Sequence, residues 1–226
     1  DGFTPYRARK TLVKAMELAT TAGDVVHAAP GVYSNGVVRS SGTGATSNRV
    51  EVAQNCGLVA DQGPAVTVIE GAYATGEGLW QYGCGTNAIR CVYLNSGAWI
   101  QGFTLRGGVC AGERIRPKEG GAAVGGTFVG CVFEKNAARY GGAVAQATLE
   151  NCVLRQNTAS ANGGAAAYCR LRGCTLTGNT ATFDGGAAEY CRAENCTFEN
   201  NGAKRDGGAA HMGVLTGCTF AKNSAS

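Results

Sequence analysis

The chain has 226 residues, 36 of them Gly and 11 Cys, and a net charge of +4, a length that suits one large domain or two small ones. Hydrophobic residues make up 44%, which excludes wholesale disorder, and glycine this frequent without a G-X-Y period excludes collagen. The charge is small and no Lys/Arg cluster tracks one face, so there is no case for a nucleic-acid partner, and no apolar run reaches the roughly 18 residues of a membrane-spanning helix.

The chain opens on Asp1-Gly2 without Met and without a visible signal peptide, and is read as a mature or excised piece. Residues 8–20, ARKTLVKAMELAT, place Leu12, Ala15, Met16 and Ala19 on one helical face, and Gly23 ends that helix. Val25 to Ala29 follows as a strand, with His27 read as a strand residue, and Pro30-Gly31 makes a turn. Loop 72–87, AYATGEGLWQYGCGTN, carries Trp80 and Tyr82, aromatics that either stack on sugar rings or pack over the neighbouring strands. Insertion 108–121, GVCAGERIRPKEGG, carries Arg114, Arg116, Lys118 and Glu119, and is either a binding surface or a solvated loop.

From about residue 120 the chain repeats. Cys131, Cys152, Cys174, Cys196 and Cys218 follow one another at steps of 21, 22, 22 and 22 residues. Asn136, Asn157, Asn179, Asn201 and Asn223 keep the same steps, and so do Gly pairs such as Gly163-Gly164 and Gly185-Gly186. Three residue types in one period make a strong repeat signal. The L-x-x-L-x-L frame of a leucine-rich repeat is missing, and helical repeats are longer and poorer in glycine. Runs such as Cys174-Thr175-Leu176 alternate polar and apolar residues as half-buried strands do. Gly pairs and Asn residues fall where tight turns need φ > 0. The period therefore predicts an all-β solenoid, a single-stranded parallel β-helix of about 22 residues per rung, with three short strands and three turns in each. Equivalent residues then sit above one another about 4.8 Å apart. The Asn ladder can bond amide to amide along the axis while serving turn backbone groups. The Cys ladder points inward as free thiols, because in-register side chains do not aim sulfur at sulfur. Any disulfide is expected among Cys56, Cys84 and Cys91, outside the regular region.

The segment TLVKAMELATTAGDVVHAAPGVYSNG, with its helix, Gly-Asp step, first strand and Pro-Gly-x-Tyr turn, resembles the opening of pectate-lyase-like right-handed parallel β-helix proteins. GPAVTVIEGA (63–72), AIRCVYLNSGAWIQGFTLRGG (88–108) and the GGA…CTFxxNxA repeats look like large bacterial surface and secreted proteins of that superfamily, with repeats similar to those of polymorphic outer-membrane proteins. The resemblance implies a right-handed β-helix whose N-terminal helix caps the open end of the stack. It does not specify an activity, since the superfamily holds lyases, hydrolases, tailspikes and adhesins. One domain is expected over 1–226: a cap over 1–24, irregular rungs with inserted loops over 25–119, and regular repeats of 21–22 residues over 120–226. The last repeat stops at Ser226, just before the next Gly pair is due, so a fragment of a longer protein is expected, with end-to-end stacking between molecules as the alternative.

A lyase of this fold would use an Arg or Lys base with acidic Ca²⁺ ligands, as the resemblance implies, and a hydrolase would use paired carboxylates. Stacking the rungs puts Asp184 beside Asp206, Glu189 beside His211, and Arg170 beside Arg192. Asp184 and Asp206 are either Ca²⁺ ligands or solvated turn residues before a Gly pair. Glu189 with His211 reads as a surface ion pair. Asp184, Asp206, Glu189, His211 and Arg116 are the candidate catalytic residues, and Trp80, Tyr82, Arg114, Arg116 and Lys118 the candidate binding residues. No cofactor other than Ca²⁺ is indicated, and two His residues without a nucleophile elbow or a completed Cys/His set support neither a Ser-His-Asp site nor zinc. The first functional expectation is a non-enzymatic extracellular or bacterial cell-surface domain with a structural, adhesive or glycan-binding role. The alternatives are a polysaccharide lyase or glycoside hydrolase acting on the outer face, and a self-assembling rod.

Overall fold

The computed structural model describes residues 8–39, 46–75, 85, 87–110 and 120–226. The chain winds as a right-handed parallel β-helix. Among the described residues its strands form three eight-stranded sheets and one of five strands, parallel throughout except where Val38–Arg39 runs antiparallel to Ser47–Val52. One coil shows the pattern: Ala166–Ala167 lies in sheet I, Arg170–Arg172 in sheet II, Thr175–Thr177 in sheet III and Thr180–Ala181 in sheet IV. Each regular coil thus has four short strands and four corners, not three. The fourth is the two-residue strand after the ladder Asn, too short to leave an alternation in the sequence.

Each corner turns on one residue in the left-handed region. In this coil these are Tyr168 (φ 56°), Gly173 (φ 61°), Gly178 (φ 63°) and Gly185 (φ 66°). The residue before the ladder Asn takes this conformation, not the Asn itself: Lys135, Gln156, Gly178, Asn200 and Lys222. The two glycines of a pair are there for different reasons. Gly185 supplies positive φ, whereas a Cβ on Gly186 would lie 2.0 Å from the Gly208 carbonyl oxygen of the next coil.

The core is built in columns. Leu149, Leu171 and Ala193 of sheet II face Leu154, Leu176 and Phe198 of sheet III. Where sheet II narrows to Ala193, the same coil carries Phe198 in sheet III, so volume across the coil is kept. Phe128 and Phe133 meet edge to face at 5.1 Å. At the N-terminal end a short helix, α1 (Leu12–Met16), is capped by the Thr11 hydroxyl accepting from the Lys14 N–H. It is shorter than the 8–20 expected and ends well before Gly23. Its buried Leu12 and Met16, with Ala19 beyond its end, join the core cluster.

The turns are satisfied by ladders. Asn179 Oδ1 accepts from the Asn157 backbone N–H and from Asn157 Nδ2, both at 3.0 Å. Its own Nδ2 donates to the Leu154 carbonyl at 2.9 Å and to Asn201 Oδ1 at 3.0 Å. The same set runs from Asn136 to Asn223. Beside it the Cys174 N–H donates to Cys196 Sγ at 3.4 Å, and Cys174 Sγ–H points at the Arg172 carbonyl. The ten described cysteines are free thiols, Cys56 and Cys91 among them; Cys84 lies outside the described residues. Burial pushes the Cys91 thiol up to about 12. Cys174 is also pushed up to about 12, first through contact with the Cys152 thiol and then by burial.

Two outcomes follow for experiment. Asn179→Ala removes the acceptor of two buried donors and should lower urea-measured stability by roughly 2–4 kcal/mol. The outward Thr177→Ala should stay within about 0.5 kcal/mol. Equal losses for the two would mean that the ladder does not stabilise the stack. Near pH 8, iodoacetamide should label the part-exposed Cys218 first and leave Cys91 and Cys174 unmodified until denaturant is added. Native labelling of Cys174 as fast as Cys218 would mean that the coils open.

Candidate functional site

Residues at the fold-over between sheets IV and I gather the acidic candidates. There the chain crosses the outer face of sheet I before entering it, and the Gly pairs press against the outward column Ala145, Ala167, Glu189 and His211. Ala145 and Ala167 are fully covered, so Glu189 carries its carboxylate into a covered space. Its side chain is only 3% exposed, and it pairs at 3.0 Å with Nδ1 of the half-buried His211, so the pair sits deeper than the surface pair expected. Asn162 Nδ2 donates to Glu189 Oε1 at 3.3 Å and reaches Asp184 Oδ2 at 3.5 Å, so one amide bridges both buried carboxylates.

Asp184 and Asp206 do not share a cation-binding space. Asp184 is buried, while the Asp206 side chain is 69% exposed. Arg205 meets the Asp184 carboxylate: its Nε donates to Asp184 Oδ1 at 2.8 Å and its Nη2 to Oδ2, and the Asp206 N–H donates to Asp184 Oδ1 at 3.2 Å. Arg205 also lies over the Phe183 ring, 5.5 Å from its centroid. Among the described residues no group of three or more His, Cys, Asp or Glu is arranged to hold a metal ion. The Arg205 guanidinium holds the Asp184 carboxyl below the usual carboxylate range against the opposing effect of burial, with the Asp206 N–H and His211 reinforcing it. Arg205 was not singled out from the sequence, although it stands beside Asp206 at one period from Phe183.

A second cluster lies on the outer face of sheet II. Its outward columns run Thr148, Arg170, Arg192, Val214 and Glu150, Arg172, Glu194, Thr216. Thr148, Glu150, Arg170, Arg172, Arg192 and Glu194 of these columns line a groove of about 480 Å³. Arg172 Nη2 and Arg192 Nε each meet Glu194 at 3.3 Å. So arginines do track one face here, contrary to the reading of the linear sequence, because residues 20 or more apart in the chain are one coil apart in space. On sheet III the charges alternate from coil to coil and neutralise: Arg106 Nε to Glu70 at 2.8 Å, and Arg155 Nη2 to Glu134 at 2.6 Å.

His27 Nδ1 meets Asp61 Oδ1 at 2.7 Å on the exposed side of its strand. Trp80, Tyr82, Arg114, Arg116 and Lys118 lie outside the described residues. The base of insertion 108–121 is held by Arg90, fully buried, which donates through Nε to the Gly120 carbonyl at 2.8 Å and through Nη1 to Thr46 Oγ1 at 2.7 Å. No sequence signal marked Arg90, since it sits in an apolar strand run.

Because the folded pKa of Asp184 is depressed, its contribution to stability is present above the ordinary carboxylate range near pH 4 and is lost as pH falls through the lower folded value. Arg205→Ala should therefore destabilise the protein, with a gap to wild type in urea unfolding that is full above about pH 5 and narrows below about pH 4. A gap independent of pH would mean that Arg205 acts through packing on Phe183 instead.

Residues 195–211, which hold Asn195-Cys196, Asn201 and Gly207-Gly208, match the Chlamydia polymorphic membrane protein repeat. Comparison with curated protein sequences finds no match. Among solved structures, a pectin methylesterase from carrot superposes with a TM-score of 0.50 at 11% identity, over 95% of this chain and 80% of that one. A pectin methylesterase in complex with a hexasaccharide matches with a TM-score of 0.41 at 15% identity, over 96% of this chain and 63% of that one. At these identities the likeness shows the fold and not the chemistry. The chain is a right-handed parallel β-helix, and its residues 195–211 are similar to the repeat of Chlamydia polymorphic membrane proteins.

Proposed function

We propose that this domain is a non-catalytic scaffold at the bacterial cell surface, which presents the outer columns of its coils for adhesion and glycan contact. The supporting observation is the state of the acid–base candidates. Asp184 is clamped by Arg205 and Glu189 by His211, under the coil-to-coil crossing. A general acid needs a carboxyl whose pKa is raised toward the working pH, and Asp184 is shifted the other way. The similarity of residues 195–211 to a bacterial membrane-protein repeat supports the surface location. The stack itself suits the task, since each coil buries its inner face against its neighbours and leaves the outer columns free to vary.

The test is a depolymerisation screen. The purified domain, with and without Ca²⁺, is incubated with acidic and neutral polysaccharides, and ultraviolet absorbance and reducing ends are followed. No cleavage is expected. Cleavage abolished by Asp184→Asn, Glu189→Gln or Arg116→Ala would replace the scaffold reading with that of a lyase or hydrolase. In parallel, the protein should be accessible to antibody on intact cells; labelling only after lysis would remove it from the surface.

A further inference from the structure

We infer that the corner between sheets I and II, with the first outward column of sheet II beside it, is a docking surface for a protein segment that carries a carboxylate next to apolar side chains. This rests on the scaffold reading above and deepens it by naming one kind of partner.

Among the described residues, eleven residues other than glycine hold left-handed backbone, and eight of them are Asn, Gln or Lys. The other three are Tyr168, Tyr190 and Met212, at φ 56°, 49° and 48°. All three follow one another at a single corner, the exit from sheet I, where the two preceding coils have Gly125 and Gln146. A bulky apolar residue is disfavoured in this conformation, and Gly or Asn would make the same turn at lower cost. Burial does not offset that cost, since Tyr168 is 49%, Tyr190 47% and Met212 61% exposed. The two tyrosine rings stack 5.2 Å apart, nearly parallel at 5°, and form an apolar ledge along the rod. Backbone strain kept at a solvent-facing corner points to a surface that is used.

Two residues further along the same coils, Arg170 and Arg192 are register neighbours in the first outward column of sheet II, and Val214 follows them. Strands in a sheet are about 4.8 Å apart, so two like charges are stacked. Sheet III does the opposite and pairs Glu70 with Arg106 and Glu134 with Arg155. Glu194 serves both Arg172 and Arg192, each at 3.3 Å. Among the described residues Arg170, though exposed, makes no ion pair. With Arg170, Arg172 and Arg192 against Glu150 and Glu194, the groove keeps one positive charge in excess. That charge lies on the side of the tyrosine corner, because both carboxylates are in the third column.

Charge and composition together select the partner. Two guanidinium forks with charge in excess call for a carboxylate. Tyr, Met and Arg are the residues enriched in protein–protein contacts, where Lys, Asp and Ser are depleted, and Tyr and Arg are common among those that carry the binding energy. Met adapts its shape to the apolar side chains of a partner. A small polar ligand would need several placed polar groups around the rings. On these three coils the two columns, Tyr168, Tyr190 and Met212 beside Arg170, Arg192 and Val214, hold no Asn, Gln, Asp or Glu. Three coils span two steps of about 4.8 Å, the reach of about three extended residues at roughly 3.3 Å each. The footprint is short, so the contact is weak and an extended segment suffices to fill it.

The probe is a fluorescein-labelled peptide in which Glu alternates with Leu and Tyr. Its twins carry Lys for every Glu, or Ser for every Leu and Tyr. Fluorescence anisotropy against the purified domain should give the first peptide a Kd of about 1 mM or tighter, and each twin binding at least about tenfold weaker. Arg170→Ala and Tyr190→Asn should each weaken the first peptide about tenfold. Glu199→Ala, on sheet III, should leave it unchanged. Circular dichroism melting separates a contact role from a structural one. Tyr190→Asn and Met212→Asn should melt at or above the wild-type midpoint, because Asn holds left-handed backbone more readily. No binding of the first peptide, equal binding of either twin, insensitivity to Arg170→Ala, or a lowered midpoint in the two Asn variants would each overturn the assignment. So would displacement of the peptide by a neutral hexasaccharide, which would give the corner to a glycan. Failure here is distinct from failure of the scaffold reading. Absent peptide binding leaves a domain that cleaves nothing, whereas cleavage of a polysaccharide with peptide binding intact upholds this surface and removes the scaffold.

Discussion

An asparagine amide at the corner between sheets III and IV does three things at once. It accepts from the backbone N–H of the preceding coil, accepts from that coil's own ladder amide, and donates to a carbonyl further back in that coil. Buried polar backbone at a turn must be satisfied, and in a solenoid nothing but the next coil is available to satisfy it. The rest of the architecture depends on this. Because the acceptor must arrive at the same height in each turn of the chain, coil length is held at 21–22 residues, and strand register is held with it. The Gly pairs then follow, since coils locked at this height leave no room for a Cβ where Gly186 passes the Gly208 carbonyl.

Once register is held, side chains act in columns. An inward column must keep the volume of the coil, as Ala193 and Phe198 do together. An outward column sums its charges, since each residue meets its equivalents one coil away. Sheet III handles this by alternating sign, which adds small favourable pairings along the rod. Sheet II handles it differently, and its like-charged pair is the outer feature that the scaffold does not account for. The cluster around the buried carboxylates of Asp184 and Glu189, with Asn162, Arg205 and His211, belongs to the first kind. Glu189 replaces Ala145 and Ala167 of earlier coils and Asp184 replaces Tyr140 and Asn162, and the cations of the following coil accompany them.

That division bears on function. A β-helix supplies rigidity and a repeated outer surface, and any specific chemistry has to come from departures from the repeat. The departures here are of two kinds: ion pairs made to the buried carboxylates at the crossing between sheets IV and I, and the stacked Arg170 and Arg192 on the outer face of sheet II. The first set ties neighbouring coils together. The likeness to the carrot pectin methylesterase lies in the winding of the chain, because at 11% identity it shows the fold and not the chemistry.

The period of 21–22 residues, legible in Cys131 to Cys218 and Asn136 to Asn223, determined the parallel β-helix by itself, because only in-register stacking gives three residue types one common period. The capping helix was legible too, through the face of Leu12, Met16 and Ala19, though its length was not, since it ends at Met16. The fourth strand was hidden because two residues are too few to alternate. Register alone could place Asp184 near Asp206, and it did so correctly to within a coil. It could not show that Arg205 stands between them, that Glu189 is covered, or that Arg170 is the cation left over. Those depend on where side chains turn and how deeply the chain crossing buries them, which are properties of three-dimensional packing and not of spacing along the chain.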